Sequence, residues 1–259
     1  MHLPHHDLPD TPQQRRSDAA RVWRAFNASL AFVLLLLVVF ALQHVFDWRG
    51  FAIAPRSLPG LLPGILGAPL LHGSPEHVGA NAISLLLLGT LAGTVYPRAT
   101  VRALPLLWLG SGLGAWFLGA LGTLHLGASG LGHGLMFLVF TLGLLRRDRA
   151  AIAAAMVAFM FYGGMLLTVL PREPGISWQA HMGGAIAGVL AAWWLRRADP
   201  QLPRRQYSWE LESELDAAAD AERAQFEPPA PREVPVLWQR PEAEVPERGR
   251  VLPFRPRRD

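Results

Sequence analysis

The chain has 259 residues, of which 51% are hydrophobic and only 17% charged, below the roughly 25% charged of an average soluble domain, which argues against a soluble enzyme. All 24 basic residues are Arg and the formal net charge is only +4, scattered along the chain, so composition carries no footprint of nucleic-acid binding. There is no Cys; disulfide frameworks, thiolate nucleophiles and Cys-ligated zinc or iron–sulfur sites are excluded, and any chemistry must come from Ser, His, Asn, Asp or Glu.

A membrane-crossing helix needs about 20 mostly apolar residues. Residues 1–25 form a polar, Arg-bearing N-terminal segment. The first apolar stretch, residues 28–46, contains an unbroken apolar run over 30–42 behind Arg15, Arg16, Arg21 and Arg24. It has the layout of a secretory signal, but Gln43, His44, Asp47, Trp48 and Arg49 follow where a small-residue cleavage site belongs, so it is read as a retained span. The connection over residues 47–77 is rich in Pro and Gly, and its apolar run 58–71 is too short and interrupted to cross, which predicts an interfacial segment. Further spans are read at 78–96, 101–122, 129–145, 150–170 and 180–195. The fold class is therefore all-α: a polytopic membrane bundle of six transmembrane helices over residues 26–199. Residues 200–259 hold ten Pro and little apolar content and are read as a charged, mostly disordered cytoplasmic tail. Within it, residues 208–226 place Leu211 and Leu215 at helical spacing among six acids, the pattern of a short acidic helix.

Arg placement sets the direction of the spans. With the N-terminus cytoplasmic, thirteen Arg fall in inner segments, among them Arg98, Arg102, Arg146, Arg147, Arg196 and Arg197, and only Arg49, Arg56 and Arg172 fall in outer loops. Both termini are then cytoplasmic, and spans two, four and six all run from outside to inside.

Polar residues inside spans are costly and each is a candidate for function. Asn81 precedes Arg98 by 17 residues, Ser129 precedes Arg146 by 17, and His181 precedes Arg196 by 15. At ~1.5 Å per residue, all three stand ~22–26 Å above the inner boundary of a core ~30 Å thick. One Asn, one Ser and one His thus share a layer just below the outer surface. Small residues under them, Gly184 and Gly188 below His181 and Gly130, Gly132 and Gly134 after Ser129, permit the close helix approach that a Ser–His hydrogen bond requires.

A Ser hydroxyl becomes a nucleophile when a base accepts its proton, and His suits that role near neutral pH. Ser129 and His181 supply the pair. Acyl transfer also needs donors aimed at an oxyanion; His77 and Asn81 are four apart on one helical face, and the free amides at the start of span four add to them. No acid lies at this depth to orient His181, so the arrangement is a dyad.

Three motifs resemble the rhomboid intramembrane serine proteases: His72, His77 and Asn81, spaced five and four apart on span two; Gly127-Ala128-Ser129-Gly130 at the start of span four; and His181 with Gly184 and Gly188 on span six. The similarity covers about residues 50–197. It implies Ser129 as nucleophile, His181 as general base, His77, Asn81 and the Ser129 amide as the oxyanion hole, and His72 as a structural or gating residue of the first loop. It also implies transmembrane proteins as substrates, no cofactor or metal, and an integral protein of a bacterial inner membrane. Two features depart from the family. Trp48-Arg49 lies 24 residues before His72, too far to match the Trp-Arg pair of many members, and His133 stands four after the Ser where an aromatic residue is common. His133 lies one turn below Ser129, in position to stack on His181 or to hydrogen-bond to it.

Two other readings compete. His72, His77, His125, His133 and His181 near one level suggest a His-ligated metal or haem protein, which leaves the Gly-Ala-Ser-Gly motif unexplained. An inactive rhomboid-like protein that binds membrane helices without cutting them is the second; such proteins typically lack the Ser or the His, and both are present.

Overall fold

The structure, a computed structural model, describes residues 11–58, 61–171, 175–200 and 208–226. It divides into a first unit up to Arg204 and a second from Arg205. Nine α-helices lie in the described residues.

Helix α1 (Pro12–Leu42) is 31 residues long, ~46 Å, and so exceeds the ~30 Å hydrocarbon core. It starts well before the expected span because Thr11 caps it, accepting from the Gln14 amide, Pro12 occupies the first turn, and no breaker precedes the apolar run. The connection after α1 is ordered rather than a plain loop. A 3₁₀ turn (Arg49–Phe51) leads to the short helix α2 (Leu62–Gly67), with Leu62 and Leu66 exposed and Ile65 buried. One face of α2 packs on the next layer, where Trp108 donates its indole N–H to the Ile65 carbonyl at 2.8 Å. The exposed apolar face accords with the interfacial reading.

Helix α3 (Pro75–Val95) begins at Ser74, whose hydroxyl accepts from the His77 amide. Helix α4 (Pro97–Leu118) follows after Tyr96 alone, with Pro97 opening its first turn. Its free N-terminal amides are capped from a distance: Asp199, buried beyond the last helix of the bundle, accepts from the amides of Arg98 and Ala99 at 2.9 Å each. Helix α5 (Ser129–Arg146) starts at the expected Ser and ends with Arg147 in the left-handed region (φ 58°). Helix α6 (Arg149–Tyr162) is capped by the Asp148 carboxylate on the Ala151 amide.

The expected fifth span, 150–170, is interrupted. Gly163 and Gly164 end α6 after 14 residues, and a single turn, α7 (Met165–Thr168), follows. Helix α8 (Trp178–Leu195) completes the first unit's helices. Among the described residues four helices, α1, α3, α4 and α5, are long and apolar enough to cross a membrane. Helix α6 alone rises only ~21 Å, and α8 is diluted by Gln179, His181 and its glycines.

Helix α8 sits between α4 and α5, and glycines allow it. A Cβ on Gly114 would lie 2.5 Å from the Gln179 carbonyl, and Gly110 and Gly114 both abut Gly183. On the opposite face, Gly184 abuts the Gly130 carbonyl and Gly188 the Gly134 carbonyl. The stripe expected below His181 is therefore present, and it is doubled: Gly183 makes a second close approach, to α4, that the reading of one face omitted. The main core is shared by α1, α3, α4, α5, α6 and α8.

In the second unit, α9 (Ser208–Phe226) occupies the segment expected to be helical, with Leu211 and Leu215 exposed. The disorder expected for 201–207 and 227–259 concerns positions outside the described residues.

Candidate active site

The start of α5 and the start of α8 meet at the end of the bundle opposite the Arg-bearing helix termini. Ser129 is the first residue of α5 and His181 lies in the first turn of α8. The Ser129 hydroxyl is 2.8 Å from His181 Nε2. The other ring nitrogen, Nδ1, is 3.0 Å from the Thr168 carbonyl oxygen. A carbonyl only accepts, so Nδ1 carries the proton; in the neutral ring Nε2 is then a lone pair that accepts from Ser129 Oγ–H. His181 is buried and Ser129 partly accessible.

Thr168 escaped the sequence reading, which found no acid to orient His181. A backbone carbonyl fills that role. Thr168 is the last residue of α7, where carbonyls have no helical partner, so the glycine break after α6 frees the group that fixes the His181 tautomer. The only signal in the sequence is the Gly163-Gly164 pair, which names no partner.

His133 lies parallel to His181, ring centroids 3.8 Å apart and planes 13° from parallel. Its Nδ1 is 2.7 Å from the Ser129 carbonyl and its Nε2 is 2.8 Å from the Thr168 hydroxyl. By the same logic Nδ1 donates to the Ser129 carbonyl, while Nε2 meets Thr168 Oγ1, whose single proton also reaches the Met165 carbonyl at 3.1 Å. His133 therefore ties the helix that Ser129 opens to the residue that holds His181.

Opposite the Ser, three residues converge. Gly127 has φ +114°, a conformation L side chains rarely adopt, and a Cβ there would lie 2.6 Å from His77 Cε1 and Nε2 and 3.8 Å from Asn81 Nδ2. Asn81 is buried and its Nδ2 has no hydrogen-bond partner among the described residues, an orphaned donor of the sort that costs free energy unless a ligand atom meets it. The Ser129 and Gly130 amides, the first of α5, add donors without intrahelical acceptors.

His72 is buried at the entrance to α3, edge-on to His77 at 5.0 Å. Its Nε2 accepts from the Ala128 amide at 3.4 Å, and its backbone is held by the Gln43 side chain in both directions. Burial and the neighbouring His77 push His72 down to about 4, so it is neutral, as its acceptor role requires. His125, in the loop before α5, accepts from Ser177 Oγ at Nδ1 (2.7 Å) and donates from Nε2 to Thr123 Oγ1 (3.0 Å), while its backbone bridges to Ile53. It joins three connections and stands outside the Ser–His pair. Among the described residues no three His, Asp or Glu converge as a metal cage, and both ring nitrogens of His125, His133 and His181 are committed to Ser, Thr or carbonyl partners.

Fold and site together define an integral membrane helical protein with a Ser–His pair held at one end of its bundle. A family model described as "Rhomboid domain" matches residues 61–198. An uncharacterized protein of Mycobacterium tuberculosis is 36% identical over 199 residues, covering 72% of this chain and 82% of its own. An uncharacterized protein of Mycobacterium leprae is 34% identical over 207 residues, covering 75% and 81%. The chain belongs to the rhomboid family.

Proposed function

We propose that this protein is an intramembrane serine endopeptidase that cleaves transmembrane segments of other membrane proteins through a Ser129–His181 dyad. The observation that carries the reading is the 2.8 Å contact from Ser129 Oγ to His181 Nε2, which in the neutral ring is an acceptor because Nδ1 donates to the Thr168 carbonyl. In this reading the chain crosses the bilayer six times with both termini cytoplasmic, α6 with α7 and α8 supplying the last two crossings. The Arg-rich end of the bundle, opposite the Ser–His pair, supports that orientation.

A substrate helix enters laterally, unwinds near its outer end and presents a carbonyl carbon to Ser129 Oγ. As the C–O bond forms, the hydroxyl proton passes to His181 Nε2, and the carbonyl oxygen takes up negative charge facing Asn81 Nδ2, His77 and the Ser129 amide. His181 then returns the proton to the leaving amine, and the C–N bond breaks to leave an acyl-enzyme. Water repeats the cycle: it loses a proton to Nε2, attacks the acyl carbon, and Ser129 leaves with that proton. His133 and Thr168 keep His181 in one tautomer and one plane throughout, and Gly127, Gly130 and Gly184 keep the backbones close enough for the contact to exist.

The test is labelling of the purified protein with a fluorophosphonate, which phosphonylates an activated Ser. Labelling of wild type that is lost in Ser129→Ala and His181→Ala is the expected result. A folded wild type that takes no label would instead fit a family member that binds membrane helices without cutting them.

A further inference from the structure

A cavity of about 710 Å³ lies apart from the Ser–His pair, on the side of the bundle where α1 faces α4. Helix α1 leans on α3, with Ser29 against Gly89 and Ala25 against Gly93, and leaves a cleft toward α4 whose floor is formed by Leu131 and Leu135 of α5. The walls are almost wholly apolar, and Phe32 and Trp108 close one end. Arg21 and Arg24 stand at the other. From Arg21 to Phe32 the lining runs 11 residues of α1, ~16 Å of helix, which is about half the ~30 Å hydrocarbon core and so one leaflet deep.

Two polar features point to what fills it. Arg24 is exposed and has no ion-pair partner among the described residues, whereas Arg21 already meets Asp18. Thr100, 6% exposed in the first turn of α4 at the Arg end of the cavity, has a hydroxyl with no hydrogen-bond partner among the described residues. A slot one leaflet deep, apolar along its length, with an unpaired cation and an unsatisfied hydroxyl at headgroup level, matches an amphiphile with an anionic head. We propose that this cavity binds one acyl chain of an anionic phospholipid from the leaflet at the Arg-rich end, with its phosphate at Arg24 and Arg21 and its glycerol ester region at Thr100. The proposal needs the chain to lie in a bilayer and is independent of whether Ser129 is catalytic.

The experiment uses the full chain reconstituted in phosphatidylcholine bilayers with trace phosphatidylglycerol or phosphatidylcholine, each spin-labelled near the chain terminus, and compares the motionally restricted fraction of the two probes. Wild type should hold phosphatidylglycerol about fivefold more strongly, the ratio that ~1 kcal/mol for one unpaired cation, Arg24, at a charged lipid surface corresponds to. The double variant Arg21→Gln with Arg24→Gln should bring that ratio below two. Arg98 and Arg102 remain at the same end of the bundle, so a merely diffuse attraction to anionic lipid would survive the change. Ala28→Trp, at an exposed α1 position that lines the cavity, should lower phosphatidylglycerol retention with both Arg in place. Equal retention of the two lipids by wild type, or a preference unchanged in either variant, overturns the assignment.

Discussion

His181 is held from three sides: Thr168 fixes its Nδ1 proton, His133 covers its face at 3.8 Å, and Ser129 meets its Nε2. Thr168→Val removes only the hydroxyl that meets His133 and the Met165 carbonyl and leaves the Thr168 carbonyl in place, so kcat should fall by no more than about tenfold, the worth of one hydrogen bond of ~1 kcal/mol, with KM unchanged. Steady-state cleavage kinetics check this; a loss as complete as that of Ser129→Ala would mean that the hydroxyl, not the carbonyl, orients the base. Gly127→Ala should cost far more, since it meets both a φ of +114° and the His77 ring, and should slow fluorophosphonate labelling by at least ~100-fold, as loss of an oxyanion donor does. His72 contributes a pH dependence. Its pKa is lowered to about 4 in the folded chain against ~6.5 unfolded, so the unfolded state binds the extra proton first. Stability is full above pH ~6.5 and falls as pH drops toward 4, by roughly 3 kcal/mol at most. Thermal unfolding of wild type and His72→Gln across that window should show the steeper loss in wild type; parallel curves would remove His72 as the cause.

At the scale of elements, the position of α8 depends on glycines that face two neighbours at once. Gly184→Ala sets a methyl against the Gly130 carbonyl, a backbone atom that cannot rotate away, and should destabilise by at least ~3 kcal/mol. Gly79→Ala on α3 meets nothing within 4 Å and should be neutral or stabilising by up to ~1 kcal/mol from helix propensity. Denaturation of the two purified variants in detergent tests the contrast. These glycines were legible in the sequence as small-residue stripes because membrane helices approach closely only through such residues. Gly183 was not, since one-face counting from His181 steps to Gly184. The clasp at the opposite end was also hidden: Arg146 donates to Asp148 and to the carbonyls of Asp199 and Pro200 and lies over the Tyr96 ring, while Asp199 caps α4 across 100 residues of sequence. Local patterns report helix ends. They do not report which distant carboxylate satisfies them.

Over the whole molecule, the Arg positions that served as depth markers place Asn81, Ser129 and His181 near one level, and the structure brings Ser129 and His181 into contact. Helix periodicity and the ~1.5 Å rise translate sequence distance into depth wherever a helix is continuous, which is why this layer could be read without coordinates. Depth counting does not carry through the 150–170 segment. There Gly163 and Gly164 break the helix, and the residue that results from the break, Thr168, acts through its main chain, which sequence does not mark. The acidic segment over α9 was readable from Leu spacing and charge for the opposite reason: both are local features of one continuous helix. The central claim is that Ser129, activated by His181, cuts membrane-embedded peptide. It is tested most directly by reconstituting the full chain with a single-span substrate and identifying products by mass spectrometry. The account predicts one internal cut near the outer end of the substrate span by wild type and none by Ser129→Ala. Equal cleavage by Ser129→Ala would contradict it.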